Sequence, residues 1–310
     1  MISSTFIRFF DIMRGTERKG ADDVPPIHKV FDNHETFPFS YAYKNTKSSQ
    51  SELPDHFHDW YEIVYVYRGK GTMFIDHTFY EMKAGDIFLI PGNIIHRATP
   101  DKETPVTSTA VYFSSSFVQA PQFGESFSYL HSFEQAVDLR QYRLETLLPQ
   151  RQHLEHYLES IQHEFKHEGP GFRQAIYVQL LQLLLFIQRD VASSHTFNTG
   201  DPLVAPVWMR DVLLYIDEHF CEDIGLQTLS KQASVSPAHF SRVFKQLIGM
   251  NVTAYIITKR IIRAKQLLSE SDVNIHHIAE LCGFESLPHF HAMFKRVLGM
   301  TPAAARKSIR

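Results

Sequence analysis

The sequence has little of what would place it in several common classes of protein. Its 310 residues include only two cysteines, Cys221 and Cys282, which form no CxxC pair and are too few for a disulfide framework. We therefore expect a reducing compartment, the cytoplasm. The most apolar window, Ile176 to Ile187, is too short and too polar to span a bilayer, so no membrane partner is expected. Charged residues interrupt the first 20 residues, which argues against a secretory leader.

The chain also lacks an overall excess of basic residues, since its formal charge is −3. That value hides an asymmetry between the two ends. From residue 207 to 310 there are 13 Lys and Arg against 9 Asp and Glu, a net charge of +4, which leaves −7 for the remainder. Six basic residues and no acidic one lie between Arg242 and Lys265, and such a basic stripe is typical of nucleic-acid binding.

The length and the hydrophobic periodicity together predict two domains with a helical segment between them. Short β-branched and aromatic runs separated by turn residues predict a β-sandwich or barrel; they lie at 62–67, 72–75, 78–82, 87–90 and 106–113. After about residue 125 the period becomes helical. An amphipathic helix at 147–166 and a second helix at about 172–192, which is apolar on more than one face, flank the break Gly169-Pro170-Gly171 and predict a helical hairpin.

A repeat occupies the C-terminal third of the chain. Phe240, Phe244 and Gly249 recur 50 residues later as Phe290, Phe294 and Gly299. Seven positions match at this offset, and three upstream apolar positions match at an offset of 49. Each unit has an apolar helix, a turn, a Ser-type N-cap and a second helix that ends at glycine, which predicts two helix–turn–helix units.

The residues of this repeat resemble the DNA-binding domain of AraC/XylS-type transcription regulators. The resemblance rests on Ser236-Pro237, His239-Phe240-Ser241-Arg242, Phe244-Lys245, Gly249, Tyr255, Arg260, Ala264, Leu267-Leu268, Ile278-Ala279, Gly283-Phe284, Phe290, Phe294-Lys295, Gly299 and Thr301-Pro302. It implies two helix–turn–helix units joined by one helix, each placing a recognition helix in successive major grooves of double-stranded DNA.

Helical angles predict which side chains of the recognition helices face DNA. The predicted DNA-binding residues are Ala238, His239, Ser241, Arg242 and Lys245 in the first unit, and Pro288, His289, His291, Ala292 and Lys295 in the second. We expect Arg242 to contact bases, because Arg bonds bidentately to guanine, and Lys245 to contact phosphate. The family often has a polar or basic residue where this chain has Ala292, so the second unit is expected to contribute mainly phosphate contacts.

The β region contains two motifs that resemble those of cupin barrels. His56, His58 and Glu62 fit H-x-H-x3-E, and Gly85, Pro91 and His96 fit G-x5-P-x4-H, although Asn93 replaces the usual glycine. The resemblance implies that His56, His58, Glu62 and His96 line a pocket and, in metal-binding cupins, are metal ligands. Trp60, Tyr41, Tyr43 and Arg97 are further candidates for ligand binding.

The predicted fold class is therefore an all-β cupin barrel (a double-stranded β-helix or jelly roll) with a helical hairpin, followed by an all-α double helix–turn–helix domain. The predicted boundaries are an N-terminal arm at 1–36, a ligand-sensing barrel at 37–125, a hairpin and dimerisation region at 126–192, a linker at 193–206 and a DNA-binding domain at 207–310. Catalytic residues are not predicted.

The expected function is ligand-responsive transcription regulation. The family resemblance favours an activator of a carbohydrate uptake or utilisation operon, with a sugar as effector, RNA polymerase as a partner and a homodimer as the active form. We expect a metal-free ligand pocket, and a divalent metal in the pocket is the alternative. Two other functions stay open: a metal- or stress-responsive regulator, and a cupin metalloenzyme fused to a DNA-binding domain.

Overall fold

The structure is a computed structural model, and it describes residues 26–31, 37–47, 55–119, 123–124, 126–194 and 205–309. The predicted arm lies largely outside the described residues, and so does most of the predicted linker at 193–206. None of the helices within the described ranges combines the length and the apolar composition that crossing a membrane requires.

Two five-stranded sheets face each other in the first half of the chain. The strands are β1 (Ile27–His28), β2 (Phe39–Lys47), β3 (His56–Phe57), β4 (Tyr61–Arg68), β5 (Gly71–Ile75), β6 (Thr78–Met82), β7 (Asp86–Ile90), β8 (His96–Pro100), β9 (Val106–Phe113) and β10 (Arg143–Glu145). The strand orders are β1-β3-β8-β5-β6 and β10-β7-β4-β9-β2. All pairs are antiparallel except β1 with β3. The two-sheet β domain confirms the predicted class of the N-terminal half.

Local chemistry explains the hairpin that connects β5 with β6. Asp76 and His77 form its tip, and Asp76 has a φ of +58°. Aspartate tolerates this left-handed conformation better than most residues, because its short polar side chain can bond locally. The flanking Ile75, Phe74 and Phe79 are buried, which fixes the register of the strands on both sides.

A helical layer covers the second sheet. It contains α1 (His131–Asp138), α2 (Leu148–His167) and α3 (Phe172–Phe186). Buried residues of α2 and α3, among them Leu158 and Leu180, pack with each other and with residues of β2, β4, β7 and β9. Neither α1 nor β10 was predicted, and β10 pairs with β7, so the sheet extends beyond residue 125.

The C-terminal segment is all helical, and the predicted double helix–turn–helix is confirmed. Its helices are α4 (Val207–His219), α5 (Leu226–Gln232), α6 (Pro237–Ile248), α7 (Val252–Glu270), α8 (Ile275–Leu281), α9 (Leu287–Leu298) and α10 (Pro302–Ile309). Ser236 and Ser286 cap α6 and α9 by accepting from the main-chain N–H of His239 and His289, at 3.3 and 3.4 Å. The helix α7 connects the two units.

The β domain and the helical domain share one hydrophobic cluster. Phe57, Phe74, Phe79 and Ile95, from the sheet that contains β3, β5, β6 and β8, belong to the same buried cluster as the cores of the helix–turn–helix units. The outer face of this sheet is therefore covered by the helical domain.

Candidate effector site and nucleic-acid interface

The predicted cupin residues come together inside the β domain. His56 lies on β3 and pairs across to His96 on β8, while His58 follows β3 and Glu62 lies on β4. All four are buried, and each contributes a potential ligand atom to a group whose members lie within 4.8 Å of one another. We call these four residues the effector cluster.

The hydrogen bonds of this cluster leave the Nε2 atoms of His58 and His96 facing one carboxylate oxygen of Glu62. The His58 Nδ1 atom donates to the Trp60 carbonyl at 2.7 Å, and the His96 Nδ1 atom donates to the Ile94 carbonyl at 2.9 Å. A carbonyl can only accept, so in the neutral rings the Nε2 atoms present lone pairs. Those atoms lie 2.9 and 3.1 Å from Glu62 Oε2, which is also an acceptor. The arrangement therefore requires a proton or a cation between them.

Burial disfavours the protonated form of at least two rings. It lowers the pKa of His58 below its ordinary value and the pKa of His56 well below it. Neutral imidazoles whose Nδ1–H bonds a carbonyl and whose Nε2 faces a carboxylate are typical ligands of a divalent transition metal. The donor set thus fits Zn, Ni, Fe or Mn, with three imidazoles and one carboxylate.

A segment that sequence reasoning missed lies beside the cluster. The main-chain N–H of Lys29 donates to the Phe57 carbonyl at 2.9 Å, which places residues 29–31 against the barrel. The Phe31 ring stacks on Trp60 at 4.4 Å, and the Lys29 amine lies 3.8 Å from the centroid of the Tyr112 ring. Burial lowers the pKa of Lys29 to about 8. A two-residue strand such as β1 has no periodicity, so the sequence contained no signal for this segment.

Three predicted ligand-binding residues lie elsewhere. Tyr41 and Tyr43 belong to the cluster between the second sheet and the helical layer, where the Tyr41 hydroxyl donates to the Leu158 carbonyl. Arg97 is adjacent to His96 on β8, so alternation directs it to the outer face of the sheet. There its guanidinium donates to the Leu247 carbonyl. These corrections leave Trp60 as the one additional candidate that lies beside the effector cluster in the described residues.

The predicted DNA-binding residues lie on the surface of the recognition helices. Seven of the ten are exposed: Ala238, His239, Arg242, Pro288, His289, Ala292 and Lys295. Ser241, Lys245 and His291 are partly exposed. The Arg242 guanidinium lies 3.1 Å from His239 Nδ1, which holds it along the face of α6.

Half of the basic stripe does not face solvent as expected. The Arg260 guanidinium donates to the carbonyls of Phe220, Gly283 and Glu222 at 2.6 to 2.7 Å, so it caps chain segments inside the helical domain. Lys259 and Lys265 pair with aspartates of the β domain. The sequence shows the charge of these side chains but not their partners. Because their partners lie within the protein, Lys259, Arg260 and Lys265 stabilise the fold.

Polar contacts join the β domain to the helical domain. The Tyr255 hydroxyl of α7 donates to the Asp76 carbonyl at 2.8 Å, and the Lys259 amine lies 2.8 Å from Asp76 Oδ1. Lys259 also pairs with Asp217 of α4. At the end of α6, Gly249 packs so closely on Asp55 and Arg97 that a Cβ atom would overlap both side chains.

These contacts place the effector cluster and the first recognition helix on opposite faces of the same strands. His56 and His96 point into the barrel, while their neighbours Asp55 and Arg97 pair at 3.4 Å on the outside and touch the end of α6. A buried ligand-type cluster on one side, and two helix–turn–helix units on the other, define a ligand-responsive DNA-binding transcription regulator.

Comparison with known families identifies the group to which this regulator belongs. Residues 40–184 match the AraC-like ligand binding domain, and residues 229–308 match a helix-turn-helix domain. The chain belongs to the AraC/XylS family of transcription regulators.

Relatives and solved structures resemble the chain over different extents. The HTH-type transcriptional activator RhaS of Klebsiella pneumoniae is 26% identical over 266 residues, which cover 83% of this chain and 89% of that protein. The RhaS activator of Salmonella schwarzengrund is 24% identical over the same shares. Among solved structures, apo ToxT of Vibrio cholerae covers 88% of this chain and 98% of its own, at 12% identity and a TM-score of 0.36. The DNA-binding domain of AdpA in complex with a target DNA covers 32% of this chain and 90% of its own, at 35% identity and a TM-score of 0.32.

Proposed function

We propose that this regulator activates genes of carbohydrate uptake or utilisation when a small effector and a divalent cation occupy the effector cluster. The observation that carries the proposal is the pair of histidine Nε2 atoms at 2.9 and 3.1 Å from one Glu62 oxygen, an arrangement of acceptors that a cation satisfies. The names of the RhaS activators support the sign of regulation.

The effector cluster would hold the cation through His56, His58, Glu62 and His96. When bound, a divalent ion supplies Lewis-acid positions for the hydroxyl or carboxylate oxygens of a small molecule. The aromatic rings of Trp60, Phe31 and Tyr112 next to the cluster support an effector of carbohydrate type, because such rings stack against the apolar faces of sugars.

Metal analysis of the purified chain tests this assignment. After loading with Ni²⁺ or Mn²⁺ and dialysis, we expect one ion per chain in the wild type, and loss of that ion in His96→Ala. The matched control is His163→Ala, because His163 is an exposed histidine on α2. A wild-type chain that retains no ion under these conditions would exclude the metal. Turnover of sugars by the loaded protein would favour the alternative of a metalloenzyme.

We further propose that α6 and α9 read DNA, with Arg242 contacting bases and Lys245 and Lys295 contacting phosphates. Fewer base contacts are expected from α9, because Ala292 offers only a methyl group for thymine contact. The proposed boundary of the DNA-binding domain, residues 207–310, contains all of these side chains.

The proposed active form is a homodimer that recruits RNA polymerase in the cytoplasm. Exposed apolar side chains on the hairpin helices, Leu148 at 73% and Val178 at 49%, support α2 and α3 as the dimer surface. Sedimentation of the full chain tests this: Val178→Glu is expected to shift the population toward monomer, and an unchanged dimer would place the interface elsewhere.

A further inference from the structure

We infer that Lys29 recognises an anionic group of the effector, so that the effector is a polyhydroxylated carboxylate, a sugar acid, rather than a neutral sugar. The inference deepens the proposed function and rests on its placement of the effector at the effector cluster. Nothing in the two cupin-type motifs includes Lys29, which lies outside both.

The backbone of β1 directs Lys29 into the barrel. β1 runs parallel to β3, with the Ile27 N–H bonded to the Asp55 carbonyl at 3.0 Å. His28 faces outward, where its ring stacks on Phe57 at 4.9 Å. Because neighbouring residues of an extended chain point to opposite faces, Lys29 points inward.

The amine of Lys29 comes to rest beside the effector cluster. It lies 3.8 Å from the centroid of the Tyr112 ring and 4.8 Å from that of Phe31. Tyr112 on β9 is the register partner of Glu62 on β4, so the amine lies over the immediate neighbour of the cluster's carboxylate. The Tyr112 ring also contacts His58 edge-on at 5.6 Å.

Lys29 has no anionic partner of its own within the described ranges. Its close contacts are with the faces of aromatic rings, and Glu62 forms no ion pair with it, although the negative charge of Glu62 raises the pKa of the amine. Lys29 is partly buried, and a partly buried ammonium group without a paired anion is unfavourable, since ring faces replace only part of its hydration. A ligand carboxylate that reaches this amine would supply the missing paired anion.

The charge of the occupied site favours the same class of ligand. Glu62 and Lys29 have opposite charges, so a divalent cation bound among the imidazoles would leave the site with an excess of positive charge. A neutral sugar would bind without compensating this charge. A hydroxy carboxylate compensates part of it and has oxygens for both the cation and the amine.

Two probes that differ only at one carbon test the inference. D-gluconate and D-glucitol have the same chain of hydroxyl groups, but C1 is a carboxylate in the first and an alcohol in the second. The full chain, loaded with Ni²⁺, is titrated with each by calorimetry, and metal content is measured before and after. We expect D-gluconate to bind at least tenfold more tightly than D-glucitol, since a charge-assisted hydrogen bond in a buried site contributes about that much or more.

Variants of Lys29 assign the difference to the amine. Lys29→Met is expected to fold, because it replaces a partly buried charge by an apolar side chain of similar length, and to lose the preference for D-gluconate while keeping the metal. Lys29→Arg is expected to keep part of the preference. Lys102→Met, which removes an exposed lysine from a loop, serves as the matched control and keeps all of it.

The outcomes separate this inference from the proposed function. If metal binds and the two probes bind equally well, or if Lys29→Met retains the preference, the inference is wrong although the metal site stands. If the wild type retains no metal but prefers D-gluconate in a manner that depends on Lys29, the metal assignment fails and the role of Lys29 is supported. A failure of Lys29→Met to fold leaves the comparison of Lys29→Arg with wild type, where an unchanged ratio of affinities counts against the inference.

Discussion

Asp76 joins the two domains through its main chain and its side chain together, and the substitution Asp76→Asn isolates the second of these contacts. Asparagine has the same shape and tolerates the φ of +58°, so the β5–β6 turn is preserved. The Tyr255 bond to the Asp76 carbonyl is preserved as well. What is lost is the negative charge that faces the Lys259 amine at 2.8 Å and, within the β domain, the His77 Nδ1 atom at 2.8 Å.

The size of the effect follows from burial and from the remaining partner. Burial opposes the ionisation of Asp76, but Lys259 and His77 hold its pKa well below the ordinary range, and Lys259 has its own pKa raised well above its usual value. Removal of one partner of a buried ion pair costs about 3–5 kcal/mol. Asp217 continues to pair with Lys259, so we expect a loss below this range, about 2–3 kcal/mol.

Scanning calorimetry of the full chain measures this loss. Because the pair connects two domains, its removal is expected to weaken their docking, so that the unfolding transition of the wild type broadens or splits in Asp76→Asn. Asp211→Asn is the matched control, because Asp211 is an exposed aspartate on α4. The reasoning is refuted if the two variants unfold within about 0.5 kcal/mol of each other, the level typical of neutral surface changes.

Three further predictions concern DNA reading, pH and the end of α6. Arg242→Ala is expected to reduce discrimination between operator sequences by about 1–3 kcal/mol in fluorescence anisotropy, and equal weakening on all sequences would contradict base contact. Burial raises the pKa of Asp86 to about 7. Between about pH 4 and 7 the folded state therefore binds more protons than the unfolded state, and the free energy of unfolding falls as the pH rises. Asp86→Asn should therefore be more stable than wild type above pH 7 in urea titrations, by up to about 4 kcal/mol, with the gap closing near pH 4; a gap that is independent of pH would refute this. Gly249→Ala, at a φ of +85° and against Asp55, is expected to destabilise the chain by more than 1 kcal/mol, about the strain of a left-handed residue alone, and a neutral result would contradict the close packing.

Features that depend on nearby residues were predictable from the sequence. The helix–turn–helix units followed from Ser caps, terminal glycines and helical spacing, which act within a few residues of one another. The effector cluster followed from the resemblance of two short motifs, although His56 and Glu62 lie on two different strands, β3 and β4. In both cases the necessary information is local, since each recognition helix with its Ser cap and terminal glycine, and each of the two motifs, occupies fewer than 15 residues.

Features that depend on distant pairing were not predictable. Lys29 reaches the effector cluster only because β1 pairs with β3 across a separation of 29 residues in sequence. Lys259 was expected on a DNA-facing stripe, but it pairs with Asp76, 183 residues away. Arg97 was an avoidable error, since its neighbour His96 points inward and alternation then requires Arg97 to point outward.

The two-sided character of β3 and β8 has a consequence for how such a protein can change. Even-numbered positions 56 and 96 face the barrel interior and belong to the effector cluster, and the odd-numbered neighbours 55 and 97 face the end of α6. A new effector preference can therefore arise by substitution at the inward-facing positions. The outward-facing positions, which contact the helical domain, can stay unchanged. Exchange of sensors between regulators of this architecture would accordingly require the outward positions of these strands and the β5–β6 turn with Asp76 to be transplanted together with their partners Gly249, Tyr255 and Lys259.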